Sequence, residues 1–388
     1  MRSRHIGRRT FLRAAAGSAG VLLGNGLPRA AAETPEMLGR LIVRERSPDN
    51  LEMPFETLDS FLTPTELFYV RSHFAVPKLD AATWKLRVVG AVERPLELTL
   101  ADLLEFSSRT SPVTLECAGN GRQFLDPKSK GVQWALGAVG TAEWTGVPLV
   151  AVLNRAGVRK DAVDVVLEGA DRGEPKNEPK PAGPMAFARS IPLAKALKPE
   201  VLLAHRMNGQ PLAPAHGYPV RAVVSGWYGM ASVKWLNRIT VTERPFHGYD
   251  QTIDYAVWDR RDGVPSLAPI TEIEVKSSIA RPAAGETLPA GKDFRVHGAA
   301  WAGVAEVTKV EVSTDGGSSW AAARLTGKAV PYSWRLWDYS WKAPSAGRHV
   351  LMARATDSQG RTQPMRRDPD RRNYVINHVF PVPVTVRD

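Results

Sequence analysis

The chain of 388 residues contains one cysteine, Cys117. It closes the alternating run Val113-Thr114-Leu115-Glu116 and opens onto Ala118-Gly119-Asn120-Gly121. A strand end is a stiff mount for a thiolate, and the glycines after it let a ligand approach the main chain. Arg122 follows five residues on, and a nearby cation favours thiolate over thiol, whose ordinary pKa is about 8.5. The thiol is therefore either a chemical residue or a packing one. By residue type alone, a lone cysteine in a strand is more often a small buried hydrophobe. A single cysteine excludes an internal disulfide framework, a Cys-rich zinc site, a cysteine-ligated iron–sulfur cluster and a C-x-x-C-H haem attachment within the chain.

The elements that must position this residue can be read from periodicity. Residues 33–65 read as an extended wrap. Strands are predicted over Phe68–Val76, Trp84–Gly90, Val113–Cys117, Val163–Leu167, Val201–His205, Val220–Val224 and Arg238–Val241. Helices are predicted over Leu98–Phe106 with Thr99 as N-cap, over Pro148–Ala156, and over Ile191–Leu197 entered at Ser190. Glu174–Pro184 is a polar, proline-rich loop. Beyond about residue 270 the texture becomes short alternating segments: Glu272–Val275, Asp293–Ala299, Val307–Thr314, Trp320–Leu325, Trp334–Trp341 and His349–Thr356. Gly, Pro, Asp and Ser turns separate them, which predicts a β-sandwich of immunoglobulin size. The expected fold class is α+β over residues 33–270, followed by an immunoglobulin-like sandwich over 271–388.

Hydrophobic residues make up 43% and charged residues 23% of the chain, which excludes disorder as the main state. No long apolar run follows the N-terminus, so no membrane span is expected. The net charge of +11 invites a nucleic-acid reading. Residues 1–32 carry six arginines and no acid, however. Without them Lys+Arg falls from 51 to 45 against 40 acids, leaving +5 with no basic-aromatic block. No nucleic-acid partner is expected. Residues 1–32 have the layout of an export signal: Arg8-Arg9 with Phe11-Leu12, a short apolar run, and Ala30-Ala31-Ala32 at the exit. The paired arginines resemble the twin-arginine type, which predicts a folded, cofactor-loaded periplasmic protein.

The run Thr114-Leu115-Glu116-Cys117-Ala118-Gly119-Asn120 resembles the molybdenum-ligand motif of the sulfite oxidase family. Further segments match in the same order: Val70-Arg71-Ser72-His73, Trp134 with Gly137-Ala138-Val139, Trp144-Thr145-Gly146-Val147-Pro148-Leu149, Met207-Asn208-Gly209-Gln210-Pro211-Leu212, His216-Gly217-Tyr218-Pro219-Val220-Arg221, Val233-Lys234-Trp235-Leu236, and Val310 to Gly317. The likeness covers about residues 65–388. It implies a molybdopterin-binding domain followed by a dimerisation domain, and hence a homodimer. It implies molybdenum–molybdopterin as cofactor, with Cys117 as the metal's protein ligand. Tyr69, His73, Asp171, His216, Arg221, Ser232 and Lys234 take the cofactor-binding positions. Arg71, Arg122, Trp134, Tyr255 and Arg372 take the substrate-pocket positions. Taken singly, each has an ordinary reading as a solvated loop side chain, a turn residue or core packing.

The implied activity is oxidation of sulfite to sulfate by oxygen-atom transfer, with guanidinium groups forking onto the dianion. No haem is expected in this chain, so the electrons would pass to a separate c-type cytochrome. Trp227 and Tyr228 replace smaller residues of the family pattern beside the pocket. The alternatives are the molybdenum subunit of a sulfane dehydrogenase, a methionine sulfoxide reductase type, which lacks a terminal sandwich, and a non-enzymatic immunoglobulin-like scaffold.

Overall fold

The computed structural model describes residues 36–261, 263–342 and 346–388. The export signal expected over residues 1–32 lies outside the described residues. Two sheets dominate the first part of the chain. In one, Leu96–Thr99, Lys85–Gly90, Leu236–Thr242, Asp164–Gly173 and Met185–Pro192 lie side by side in that order. Its central pair, Lys85–Gly90 with Leu236–Thr242, is parallel and the others are antiparallel. In the other, Arg109–Glu116 pairs with Val139–Pro148, which pairs with Val201–Met207. Arg221–Val224 adds to the last of these.

Local chemistry accounts for the short helices. Thr99 caps the helix Leu100–Leu104 through a reciprocal box, its hydroxyl accepting from the Asp102 N–H and its own N–H donating to the Asp102 carboxylate. The helix Leu149–Ala156 buries Leu149, Val152, Leu153 and Ala156 completely and stops at Gly157, whose φ of 72° permits the terminal bond to Leu153 O.

The last part is a sandwich. One sheet orders Lys276–Arg281, Asp293–Trp301, Arg335–Lys342 and Arg324–Thr326. The other orders Thr287–Pro289, Val382–Arg387, Gly347–Asp357, Val307–Ser313 and Ala321–Ala322. Val296, Val310, Trp337, Leu351, Ala355 and Val384 fill the space between them. The α+β plus immunoglobulin-like class thus describes the chain, with strands far outweighing helices. The sandwich is also stitched to the first part. The Thr114 N–H donates to Tyr332 O at 2.9 Å, the Trp334 N–H donates to the Thr114 hydroxyl at 2.8 Å, and Trp301 and Trp334 belong to the same buried core as the first two sheets. Among the described residues no helix is long and apolar enough to cross a membrane.

Three segments differ from the periodicity reading. Phe68–Val76 is not a strand and makes only one bridge, Val70 with Leu51. Its residues from 68 to 70 are all buried because protein encloses both sides of the chain, and the Ser72 N–H is satisfied by the Asn50 side chain rather than by a neighbouring strand. Glu272–Val275 likewise makes one bridge, Glu272 with Trp227, and the strand begins at Lys276. The helix expected from Ile191 starts at Leu193, because Ile191 and Pro192 finish the strand Met185–Pro192. The wrap expected over 33–65 includes a small sheet of Met37–Leu38, Leu41–Glu45 and Asn50–Glu52.

Candidate active site

Cys117 stands where the strand Arg109–Glu116 leaves its sheet. Its N–H still donates to Ala138 O at 2.9 Å, and its carbonyl accepts the Asn120 N–H at 2.9 Å, so the chain turns tightly around it. The turn needs its glycines. A Cβ on Gly119 would collide with the Arg122 guanidinium, and Gly121 takes a φ of 101° against Ile376 and Phe380. Cys117 is 7% exposed and lines a cavity walled by polar, charged and aromatic side chains.

Nine of the candidates from the sequence meet in this cavity along with Cys117: Tyr69, Arg71, His73, Asp171, His216, Arg221, Ser232, Lys234 and Tyr255. They come from separate elements. Tyr69, Arg71 and His73 arrive on the irregular segment after Thr65–Leu67, and Asp171 sits in the long strand Asp164–Gly173. His216 ends the turn Pro214–His216, which Gly217 terminates at φ 103°. Arg221 opens the strand Arg221–Val224, and Ser232 Oγ accepts the Val224 N–H at 3.0 Å.

The electrostatics are lopsided. Arg221 is buried, and its three recorded acceptors, Ala222 O, His216 O and Ser232 O, are all backbone carbonyls. Lys234 donates to Ser72 Oγ at 3.1 Å and Ala215 O at 2.8 Å. Burial, with Arg221 adding to it, drives the Lys234 ammonium well below its ordinary pKa, and Asp171 opposes the shift. Burial lowers Arg221 to about 10 and raises Asp171 to about 6. Asp171 Oδ1 is buried with no hydrogen-bond partner. A cavity with three cationic side chains, one acid and an orphaned carboxylate oxygen calls for an anionic ligand that also carries donors. A pterin ending in phosphate and bearing a dithiolene has that chemistry, so the residues fit molybdopterin.

The histidines are held neutral. His73 stacks on Phe187 at 4.1 Å, and its Nε2 meets the Tyr255 hydroxyl at 2.6 Å. Burial, then Arg71 and Lys234, pushes it well below 6.5. Tyr255 shifts the other way, raised by burial, so its hydroxyl keeps its proton and donates to the imidazole. His216 packs edge-on against Phe68, and burial beside Lys234 and Arg221 lowers it to about 3. Because the folded pKa lies below the unfolded one, this histidine costs stability as pH falls below 6.5, by about 1.4 kcal/mol per pH unit until its folded pKa is reached. We predict that urea melts of cofactor-free protein at pH 6.5 and 5 show a loss about 2 kcal/mol smaller in His216→Asn than in the native chain. Equal losses would mean that His216 is charged in the fold.

Three candidates lie outside the cavity wall. Arg122 is buried beneath the Cys117 turn, donating to Val132 O at 2.7 Å and Asn373 O at 3.2 Å. Trp134 is fully buried behind Tyr69, ring centroids 6.4 Å apart. Arg372 donates to Ile253 O and Ala256 O. It lines a neighbouring cavity with Lys130, Asn177, Tyr249 and Asp254. A third cavity adjoins both, sharing Arg71 and His73 with the Cys117 cavity and Asn177, Tyr249 and Asp254 with that of Arg372. Arg372 thus stands along an approach to the thiol rather than beside it. Trp227 and Tyr228 are buried but line none of these cavities. The sequence reading missed Ser72, whose hydroxyl accepts a hydrogen bond from Lys234, and Phe187, on which His73 stacks. Phe187 lies on Met185–Pro192, whose alternating Met-Ala-Phe-Ala-Arg-Ser-Ile is a strand signal.

Comparison with known proteins decides the relationship. Residues 73–250 match the oxidoreductase molybdopterin binding domain, and residues 268–386 match the Mo-co oxidoreductase dimerisation domain. Sulfite oxidase of Gallus gallus is 36% identical over 357 residues, covering 86% of this chain and 75% of that protein. The chain belongs to the molybdopterin-dependent sulfite oxidase family. Mitochondrial sulfite oxidase of Rattus norvegicus is 38% identical over 345 residues, which is 84% of this chain. This chain spans about three-fifths (61%) of that relative's length. Among solved structures, the sulfane dehydrogenase SoxCD from Paracoccus pantotrophus superposes with a TM-score of 0.77 at 27% identity, over 92% of both chains. The family relationship places a molybdopterin site in the first part of the chain, where the cation-rich cavity surrounds its sole thiol.

Proposed function

We propose that this chain is a periplasmic, molybdopterin-dependent sulfite dehydrogenase. The observation that carries the reading is the buried, cation-rich cavity built around the only thiol. Arg221, Lys234, His216, Ser232 and Asp171 would hold the pterin and its phosphate, and Cys117 would ligate molybdenum. Bound there, the cofactor would supply the two-electron redox chemistry of oxygen-atom transfer. The balance is sulfite plus water to sulfate, two protons and two electrons. Arg71 binds and orients the dianion, and Tyr255, its proton retained, donates a hydrogen bond at the same end of the cavity. Arg372 draws the anion along the approach cavities. Arg122 and Trp134 act behind the wall, one bracing the Cys117 turn and the other backing Tyr69. The electrons leave singly to a separate c-type cytochrome, and the paired Arg8-Arg9 supports export as a folded holoprotein. The dimerisation-domain match supports a two-fold homodimer.

The test is metal and pterin analysis of the purified protein together with sulfite turnover using an artificial acceptor and then cytochrome c. Stoichiometric molybdenum with sulfite turnover is expected, and metal-free native protein would end the proposal. The likeness to a sulfane dehydrogenase over 92% of both chains favours one second reading, oxidation of carrier-bound sulfane sulfur. A molybdenum-loaded chain that ignores sulfite but turns over such a carrier would establish it. Within the first reading, Arg71→Gln should raise KM for sulfite about tenfold, with a smaller change in kcat, since a charge that binds the dianion before reaction is lost. An unchanged KM would remove Arg71 from substrate binding.

A further inference from the structure

The side chain of the residue before the thiol is tied to the sandwich as well as to its own turn. Glu116 is 1% exposed. Its Oε1 accepts from Lys276 Nζ at 2.9 Å and from Asn120 Nδ2 at 3.0 Å, and its Oε2 accepts from Trp301 Nε1 at 2.8 Å. Lys276, also 1% exposed, donates a further bond to Asn120 O at 3.1 Å. Lys276 and Trp301 face each other across paired strands of the sandwich, in register. One ammonium therefore grips both ends of the turn that runs from Glu116 to Asn120 with Cys117 inside it. Val375, near the C-terminus, completes the grip by donating its N–H to Ala118 O at 2.8 Å.

A fully buried ion pair is a poor stabiliser compared with apolar packing of the same volume, because desolvation offsets its attraction. A shared, fully hydrogen-bonded carboxylate does fix direction, since each bond restricts where the backbone beside it lies. We propose that Lys276 and Trp301 are positioning residues that act through Glu116, so that the sandwich sets where the Cys117 sulfur stands in the cavity. The inference rests on the molybdopterin reading for what the sulfur holds. The clamp itself is a property of the polypeptide.

Two variants of the full chain test it. Trp301→Phe removes one bond to Glu116 and keeps a smaller aromatic ring in its place. The double variant Glu116→Gln/Lys276→Met removes the ion pair and leaves no buried charge unpaired. Cys117 is the only thiol, so its reaction rate with an aromatic disulfide reagent in cofactor-free protein reports the turn directly. We expect that rate to rise at least threefold in Trp301→Phe and tenfold in the double variant. In loaded protein we expect a shifted or broadened Mo(V) resonance and a lowered kcat at nearly unchanged KM. A merely structural role would lower the melting temperature and leave the resonance of the folded fraction as it was. Native thiol rates and a native resonance in both variants would overturn the clamp. If the double variant does not fold, Trp301→Phe decides by the same readings. If native protein carries no molybdenum, the cofactor reading falls, and the thiol rates still decide the clamp.

Discussion

Cys117→Ser should fold with a melting temperature within a few degrees of native and turn over sulfite at least about a thousandfold more slowly. The two halves of this expectation have separate causes. Serine is nearly the size of cysteine, the site is 7% exposed, and the turn is held by bonds to the backbone of residue 117 and to Glu116 rather than to its sulfur. An unpaired buried hydroxyl costs about 1–3 kcal/mol, less than the stability of an ordinary domain. A hydroxyl, however, is a hard and weakly acidic ligand where a soft thiolate is called for. Loss of partners outside the immediate ligand shell already costs metal sites about ten- to a hundredfold, and loss of the ligand itself costs more. Steady-state sulfite oxidation, read beside molybdenum per chain, checks this. Native turnover in the serine variant would remove Cys117 from the metal.

Much of this site was legible along the chain, and for a physical reason. The strand before Cys117, the glycines after it and the helix cap at Thr99 are local features in which residue type and backbone conformation are directly coupled. The assembly of His73, Asp171, His216, Arg221 and Lys234 into one cavity is not local, since about 160 residues separate the first from the last. Only the ordered match to a family could join them before the fold was known. Periodicity failed where tertiary burial overrode it. Residues 68–76 alternate like a strand, yet Phe68, Tyr69, Arg71, Ser72 and His73 line a cavity, with the Val70 backbone bonded to Leu51 and the Ser72 N–H to the Asn50 side chain. Arg122, Trp134 and Arg372 show the converse limit. A sequence position indicates which loop a side chain belongs to, but only packing decides whether it faces the cavity, the backbone beneath it or the next cavity along. The role of Glu116 was invisible for the same reason. Its partners Lys276 and Trp301 come from a domain that sequence patterning treats as separate.

Arg221→Met should do the greatest damage among the substitutions that spare Cys117. The Arg221 guanidinium fans onto His216 O at 3.1 Å and Ser232 O at 2.9 Å and sits 4.9 Å from the Trp144 ring, so one side chain pins the His216 turn, the Ser232 turn and the sheet behind them. Methionine replaces the stem and leaves both carbonyls without a donor, at about 1–3 kcal/mol each. The loss should appear as a drop of several kcal/mol in urea melts of cofactor-free protein. Charge adds a second consequence. At its lowered pKa of about 10 the guanidinium is still fully cationic at neutral pH, and among the described residues no carboxylate pairs with it, so its field is left for an anionic ligand. Molybdenum per purified chain should therefore fall about tenfold or more in Arg221→Met. Arg221→Lys separates the two effects, because an ammonium keeps the charge but cannot span both carbonyls with a planar fork. It should retain more cofactor than the methionine variant while recovering only part of the stability. Full cofactor content in Arg221→Met would mean that the cavity's charge does not select its ligand.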